Sequence, residues 1–379
     1  MKILIAPDSF KGSSSSLVVA DAIEKGVYRV FPEAVIEKVP IGDGGEGTVE
    51  ALVAANEGDF LSERVSGPLG APVEASYGII DENTAVLEMA SASGLDLISQ
   101  DERDVKRTST YGTGELIKHA LDQGVREIII GIGGSATNDG GTGMARALGY
   151  RFLDSEGREL PPGGAGLSML ERIDTHGVDP RIREATFRVA CDVSNPLVGE
   201  SGASAVYGPQ KGAHPADVEI LDKALGRLGE VVSRQLGIDA MDEPGAGAAG
   251  GLGYGLTVFC GASLETGIDI VLDAVNFEKR IEDVELVITG EGKIDGQTSY
   301  GKVPIGVARR AKQHGVPVLV IAGDIGEGIE GVYEAGIDAV MCTVNRAMSL
   351  DEAMSRSREL LTDASERSMR MVRLGFGLC

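Results

Sequence analysis

The 379-residue sequence contains no tryptophan, and aromatic residues make up only 4% of it. The core must therefore be aliphatic. Cys191, Cys260, Cys342 and Cys379 are far apart and form no CxxC pair, which excludes a disulfide framework and a cysteine-based zinc site. The four histidines are equally scattered, without HExxH or His-x-His spacing. No apolar run approaches the roughly 20 residues of a membrane helix, and the apolar stretch at the N-terminus is too short for a signal peptide. Positive charge is also scarce: 35 Lys and Arg stand against 58 Asp and Glu, a net charge of −23. A field of that sign repels nucleic acid and anionic lipid. We therefore expect a cytoplasmic protein with neither nucleic-acid nor membrane partners. An anionic small molecule stays admissible, because nearby lysines, arginines and helix N-termini override a global field.

Glycine is in excess, with 54 residues, about twice ordinary usage. That suits tight turns and backbone set close to a ligand. The length exceeds the ~250–300 residues at which one core stops growing, so two domains are expected. Residues 2–6 read as a short buried strand and 17–31 as a helix capped by the serines at 13–16. Residues 35–39 read as a second strand. Residues 286–289, 316–322 and 339–344 read as further strands, with helices at 304–312 and, as a covering element, about 350–374. Strands alternating with helices make a doubly wound parallel sheet. In between, 66–70 reads as a linker turn, 75–80 and 84–89 as a hairpin, and 128–132 and 187–190 as core strands. The expectation is an α/β protein of two domains. Residues 1–62 plus 283–379 form one, discontinuous, and 63–282 form a second α/β domain inserted into it, with the active site in the cleft between them.

Five polar or glycine-rich loops follow the expected strands, where open α/β sheets bind ligands. The first, Ala-Pro-Asp-Ser-Phe-Lys-Gly at 6–12, sets Asp8, Ser9 and Lys11 at a strand end before a helix, which suits an anionic ligand. The second, at 42–48, places Asp43 and Glu46 on a tight glycine loop able to hold Mg²⁺. The third, Gly-Ile-Gly-Gly-Ser-Ala-Thr-Asn-Asp-Gly-Gly-Thr-Gly at 131–143, is the strongest. Its successive backbone N–H groups form a nest for phosphate oxygens, so Gly133, Gly134, Ser135 and Thr137 are candidate nucleotide ligands. A rival fit exists: Gly131-x-Gly133-x-x-Ala136 with Asp154 23 residues on resembles a dinucleotide fingerprint, which would make an NAD-dependent hydroxy-acid oxidoreductase. The prolonged loop before the next helix argues against it. The fourth, at 191–197, pairs Asp192 as general base with Asn195 as orienting amide, and Lys211 follows at 208–212. The fifth spells GxxxxGK at 296–302, but Val303 replaces the Ser or Thr of a P-loop. A small-residue stretch at 245–253 reads either as a hinge or as backbone facing a nucleotide. A nucleotide-sensing regulator would need a basic patch and a DNA-binding helix pair, and neither is evident.

The blocks at 6–11, 43–48, 131–141, 191–197, 208–212, 289–295 and 301–308, taken in order, resemble the signature blocks of the type 1 bacterial glycerate kinases. Seven blocks in order are highly specific, and they cover the chain to about Arg310. The resemblance implies phosphorylation of D-glycerate by ATP with Mg²⁺, on a flavodoxin- or Rossmann-like domain with a second α/β domain inserted. The family's usual product is 2-phosphoglycerate; 3-phosphoglycerate, or a kinase of another small hydroxy acid, is the alternative. On this footing Asp192, held by Asn195, is expected to accept the glycerate hydroxyl proton, and Lys11 to balance charge on the transferring phosphoryl group. Asp43, Glu46 or Asp295 would hold Mg²⁺, Ser9 or Lys211 would pair the substrate carboxylate, and Asp8 would accept a hydroxyl hydrogen bond. Closure of the cleft would exclude water. A homo-oligomer is left open.

Overall fold

The computed structural model describes residues 1–42, 47–296, 298 and 302–376. The chain opens with β1 (Lys2–Ile5), α1 (Ser16–Tyr28), β2 (Val35–Lys38) and α2 (Thr48–Asn56). It continues through β3 (Asp59–Ser66), β4 (Pro72–Ile79), β5 (Thr84–Glu88), α3 (Ala90–Ser93), α4 (Tyr111–Asp122) and β6 (Glu127–Gly131). Next come α5 (Thr142–Ala147), β7 (Arg151–Leu153), β8 (Arg172–Asp174), β9 (Thr186–Ala190), α6 (Ala203–Tyr207), α7 (Pro215–Leu236) and α8 (Ala248–Cys260). After β10 (Ser263–Glu265), α9 (Gly267–Ala274) and α10 (Phe277–Arg280) follow β11 (Leu286–Ile294), α11 (Val303–Gln313) and β12 (Val318–Ile325). The last elements are α12 (Glu330–Glu334), β13 (Ala339–Cys342), α13 (Leu350–Ser355) and α14 (Ser357–Phe376).

Two compact units result: Met1–Asp43 with Glu50–Glu57 and Ile268–Cys379, and Gly44–Val49 with Gly58–Gly267. The boundaries expected at 62/63 and 282/283 are thus corrected. Residues 268–282 go with the first unit, because α9 packs on α11: a Cβ on Gly306 would lie 2.2 Å from Ile268 Cγ1. Arg309 and Arg310 both pair with Asp269 on α9.

The first unit holds a five-stranded parallel sheet in the order β13-β12-β11-β1-β2. Its three central strands, β1, β11 and β12, carry runs buried on both faces, as a helix-covered parallel sheet requires. Ile3, Ile5, Ile288 and Ile321 pack with Val19 and Ile23 of α1 and Leu361 and Ala364 of α14. The alternate residues Leu4, Val287 and Val320 are buried as fully. Gly26 lets α1 and α14 touch, since a Cβ there would sit 2.5 Å from the Thr362 carbonyl oxygen. The expected helix at 350–374 is in fact two, broken at Arg356. Strand β11 runs on to Ile294, where a loop was expected from residue 290, because Lys293 and Ile294 stay in register with Asp324 and Ile325 of β12.

The second unit holds a six-stranded sheet in the order β10-β9-β6-β5-β4-β3, parallel except for the β3-β4-β5 meander. The stretch at 66–70, expected as a linker, is the β3–β4 hairpin turn, closed by the Gly67 N–H donating to the Ala71 carbonyl at 2.7 Å. Leu87, Ile128, Ile130 and Val189 of the sheet pack with Leu116 and Ile117 of α4 and Leu252 and Leu256 of α8. Among the described residues, no helix is long and apolar enough to cross a membrane.

Candidate active site

In the first unit the chain steps from β1 to β2 on one side and from β11 to β12 on the other. Right-handed crossovers in opposite directions put α1 and α11 on opposite faces. The strand ends between them are the switch point where such sheets bind ligands. A cleft of about 1020 Å³ opens there, and the described residues that line it belong to the first unit. The loop after β1 is tied down by the Asp8 N–H donating to the Gly290 carbonyl at 2.9 Å. Asp8 is buried, and its Oδ1 accepts the Ser9 N–H at 2.6 Å. Ser9 and Lys11 line the same cleft.

Sequence reading did not single out Glu291, which lines this cleft and is 5% exposed. Burial pushes its carboxyl above the ordinary value, against the pull of the Thr298 hydroxyl and the Lys302 ammonium. The hydroxyl donates to its Oε1 at 2.7 Å, and Lys302 Nζ stands 3.7 Å from Oε2. The signal was an acid between two glycines at the end of an apolar run. Those glycines matter: a Cβ on Gly290 would lie 2.4 Å from the Ile321 carbonyl oxygen. Asp295 is half-buried beyond the strand, 3.3 Å from Lys293 Nζ. Asp43 and Glu46 lie outside the described residues, as does part of the GxxxxGK stretch.

In the second unit the loop after β6 spans 132–141 before α5 begins at Thr142. A dinucleotide fingerprint would open its helix within the glycines, so the geometry goes against that fit. Asp154 belongs to a surface turn, where it accepts the Glu156 and Arg158 backbone N–H groups. Gly133 and Gly134 are exposed at the loop's tip, Ser135 and Thr137 buried beneath it. Asp139 organises the rest. Its buried carboxylate accepts the Thr110 N–H at 2.9 Å, the Thr110 hydroxyl, the Gly141 N–H and the Gly143 N–H. Burial raises its pKa while those donors pull it down.

Lys211, expected to meet the substrate carboxylate, is instead 2% exposed. Its Nζ donates to Ser135 Oγ at 2.6 Å and to the Thr137 carbonyl at 2.7 Å. It braces the loop from behind. Burial pulls its pKa down to about 7, with the Asp139 charge pulling the other way. The small-residue stretch at 245–253 turns out to be packing. Gly250 at φ +70° would put a Cβ 1.9 Å from the Thr137 carbonyl oxygen, and the Gly140 N–H donates to the Gly250 carbonyl at 3.0 Å.

Asp192 is exposed after β9, its Oδ1 accepting the Gly267 N–H at 2.9 Å. Asn195 commits its amide elsewhere: it donates to the Ser201 carbonyl at 2.7 Å and accepts the Tyr207 hydroxyl at 2.7 Å. Its expected role of holding Asp192 is therefore replaced by one in shaping the 195–201 loop.

A switch-point cleft pairing carboxylates with lysines, and a glycine nest at another strand end, equip an α/β enzyme for handling phosphate. Comparison with known proteins narrows this class. The model of the glycerate kinase family matches residues 3–373. A glycerate kinase of Halalkalibacterium halodurans is 54% identical, over 96% of each chain. The glycerate 2-kinase of Escherichia coli is 50% identical, over 99% of each. A crystal structure from Salmonella typhimurium LT2, assigned to a glycerate kinase 2, superposes with a TM-score of 0.92 at 49% identity, covering 100% of this chain and 99% of that one. The chain belongs to the glycerate kinase family and is a kinase.

Proposed function

We propose that the protein phosphorylates D-glycerate with ATP and Mg²⁺, giving 2-phosphoglycerate. The observation that carries the chemistry is the switch-point cleft, where the buried acids Asp8 and Glu291 lie with Lys11, Lys293 and Lys302 in a chain of net charge −23. The 2-isomer is supported by the name of the Escherichia coli relative. A cytoplasmic location goes with this reading, since ATP is the phosphoryl donor of the cell interior.

The 2-hydroxyl oxygen of glycerate attacks the γ-phosphorus, the bond to the β-phosphate oxygen breaks, and ADP leaves. Asp192 takes the hydroxyl proton. Lys11 offsets charge on the phosphoryl oxygens, Asp8 accepts a hydrogen bond from a substrate hydroxyl, and Ser9 binds its carboxylate. The exposed Gly133 and Gly134 backbone meets the ATP phosphates, and Ser135, Thr137 and Lys211 hold that backbone in shape. Among the described residues, no group of three or more His, Cys, Asp or Glu is arranged to hold a metal. Mg²⁺ needs only one or two carboxylates when nucleotide phosphates supply the rest. Asp295 fits, since it already pairs one cation, the Lys293 ammonium. Asp43 and Glu46 are the other carboxylates proposed for it. The ion would neutralise charge developing between the β- and γ-phosphates.

The test is ADP release with Mg-ATP across a panel of small hydroxy acids. Release dependent on D-glycerate is expected. Preference for another acid would replace the substrate and keep the kinase, and absence of release with every acid would overturn the reading.

A further inference from the structure

The cleft of the first unit is lined by two kinds of side chain: Asp8, Lys11, Glu291 and Lys302 are charged, and Val344, Met348, Leu350 and Met354 are apolar. Glycerate is a three-carbon acid with an oxygen on every carbon, so it has no use for an apolar wall. Clefts of roughly 300–1,000 Å³ take much larger ligands. Leu350, at the start of α13, lines the cleft and is 72% exposed, so its side chain is available to a ligand there. Its position is fixed, because the Ser349 side chain caps α13 by accepting the Glu352 N–H at 3.2 Å. The charged and apolar parts of the lining adjoin: the Cβ position of Gly12, next to Lys11, lies 3.0 Å from Met354 Cε.

We infer that these apolar side chains seat the adenine and ribose of the nucleotide, an inference that rests on ATP being the donor. Met348 and Met354 offer polarisable thioethers to the face of the base, and Leu350 closes over it from α13. Asp324, exposed at the end of β12 and lining the same cleft, accepts from the ribose hydroxyls, as an acid at a strand end does in other α/β nucleotide sites. The three lysines lie along the polyphosphate, which explains their clustering on an otherwise acidic chain.

The test substitutes Leu350→Glu and Met354→Glu, with thermal melting to confirm folding. Leu350 supports no core, so its variant keeps the test open if the other misfolds. Each variant is expected to raise KM for ATP at least tenfold while KM for D-glycerate stays within twofold. Calorimetric titration with Mg-ADP should weaken by the same factor. Because that titration needs no turnover, it reads the inference even if the wild type fails to phosphorylate glycerate. Unchanged ADP affinity in a folded Leu350→Glu variant would overturn it, as would a wild type that binds no ADP.

Discussion

Lys211 gives the sharpest quantitative prediction. In the unfolded chain its amine holds a proton up to the ordinary lysine value of 10.5, whereas burial lets the folded protein release that proton above about 7. Between those values the unfolded state binds more protons, so this group makes stability rise with pH. A gap of one pH unit between the two states is worth about 1.36 kcal/mol, so the full window amounts to about 5 kcal/mol at most. Lys211→Met removes that contribution. It also strips donors from Ser135 Oγ and the Thr137 carbonyl. An orphaned buried acceptor costs about 1–3 kcal/mol, offset by no longer burying an ammonium. The discriminating quantity is therefore the slope. Urea denaturation of both proteins from pH 7 to 10 should show the wild type gaining several kcal/mol on the variant, on the order of half or more of that ceiling. Parallel stability curves would refute a buried, proton-releasing lysine. In the same variant, loosening of the 133–137 loop should lower kcat/KM for ATP about tenfold.

Asp192→Asn should lower kcat by about 10²–10⁴ with little change in KM for ATP, measured by initial rates; near-normal turnover would remove Asp192 from the mechanism. Gly250→Ala forces a Cβ against the Thr137 carbonyl oxygen at φ +70°. It should cost at least about 1–2 kcal/mol and depress activity well below the melting temperature, and wild-type melting and activity would contradict the packing described. Gly226→Ala is the opposite case, because its Cβ meets nothing within 4 Å inside α7. It should stabilise by about 0.5–1 kcal/mol in denaturant titration with activity intact, and a loss of stability would count against the open space around it.

The central parallel strands were legible because burial on both faces makes them unbroken apolar runs, as at 3–5 and 318–322. The loop at 131–143 was legible because so many glycines and hydroxyl-bearing residues at a strand end have few other uses. Strand β3 was not, because it is an edge strand whose Asp59, Glu63 and Arg64 read as surface. The far end of β11 hid in glycine and charge, and only its register with β12 makes it strand. Site residues were misread where the third dimension decides. Nothing in the sequence around Lys211 says that its ammonium is buried under a loop 76 residues away. Nor does it say that Asp139 is held by Thr110, 29 residues upstream. Glu291 was overlooked because the loop expected there hid a strand end.

The most direct test of the central claim is identification of the product formed from D-glycerate and Mg-ATP, using enolase as the sole coupling enzyme. Immediate consumption by enolase is predicted, since 2-phosphoglycerate is its substrate. A product that enolase accepts only after a phosphoglycerate mutase is added would be 3-phosphoglycerate, and would contradict the account.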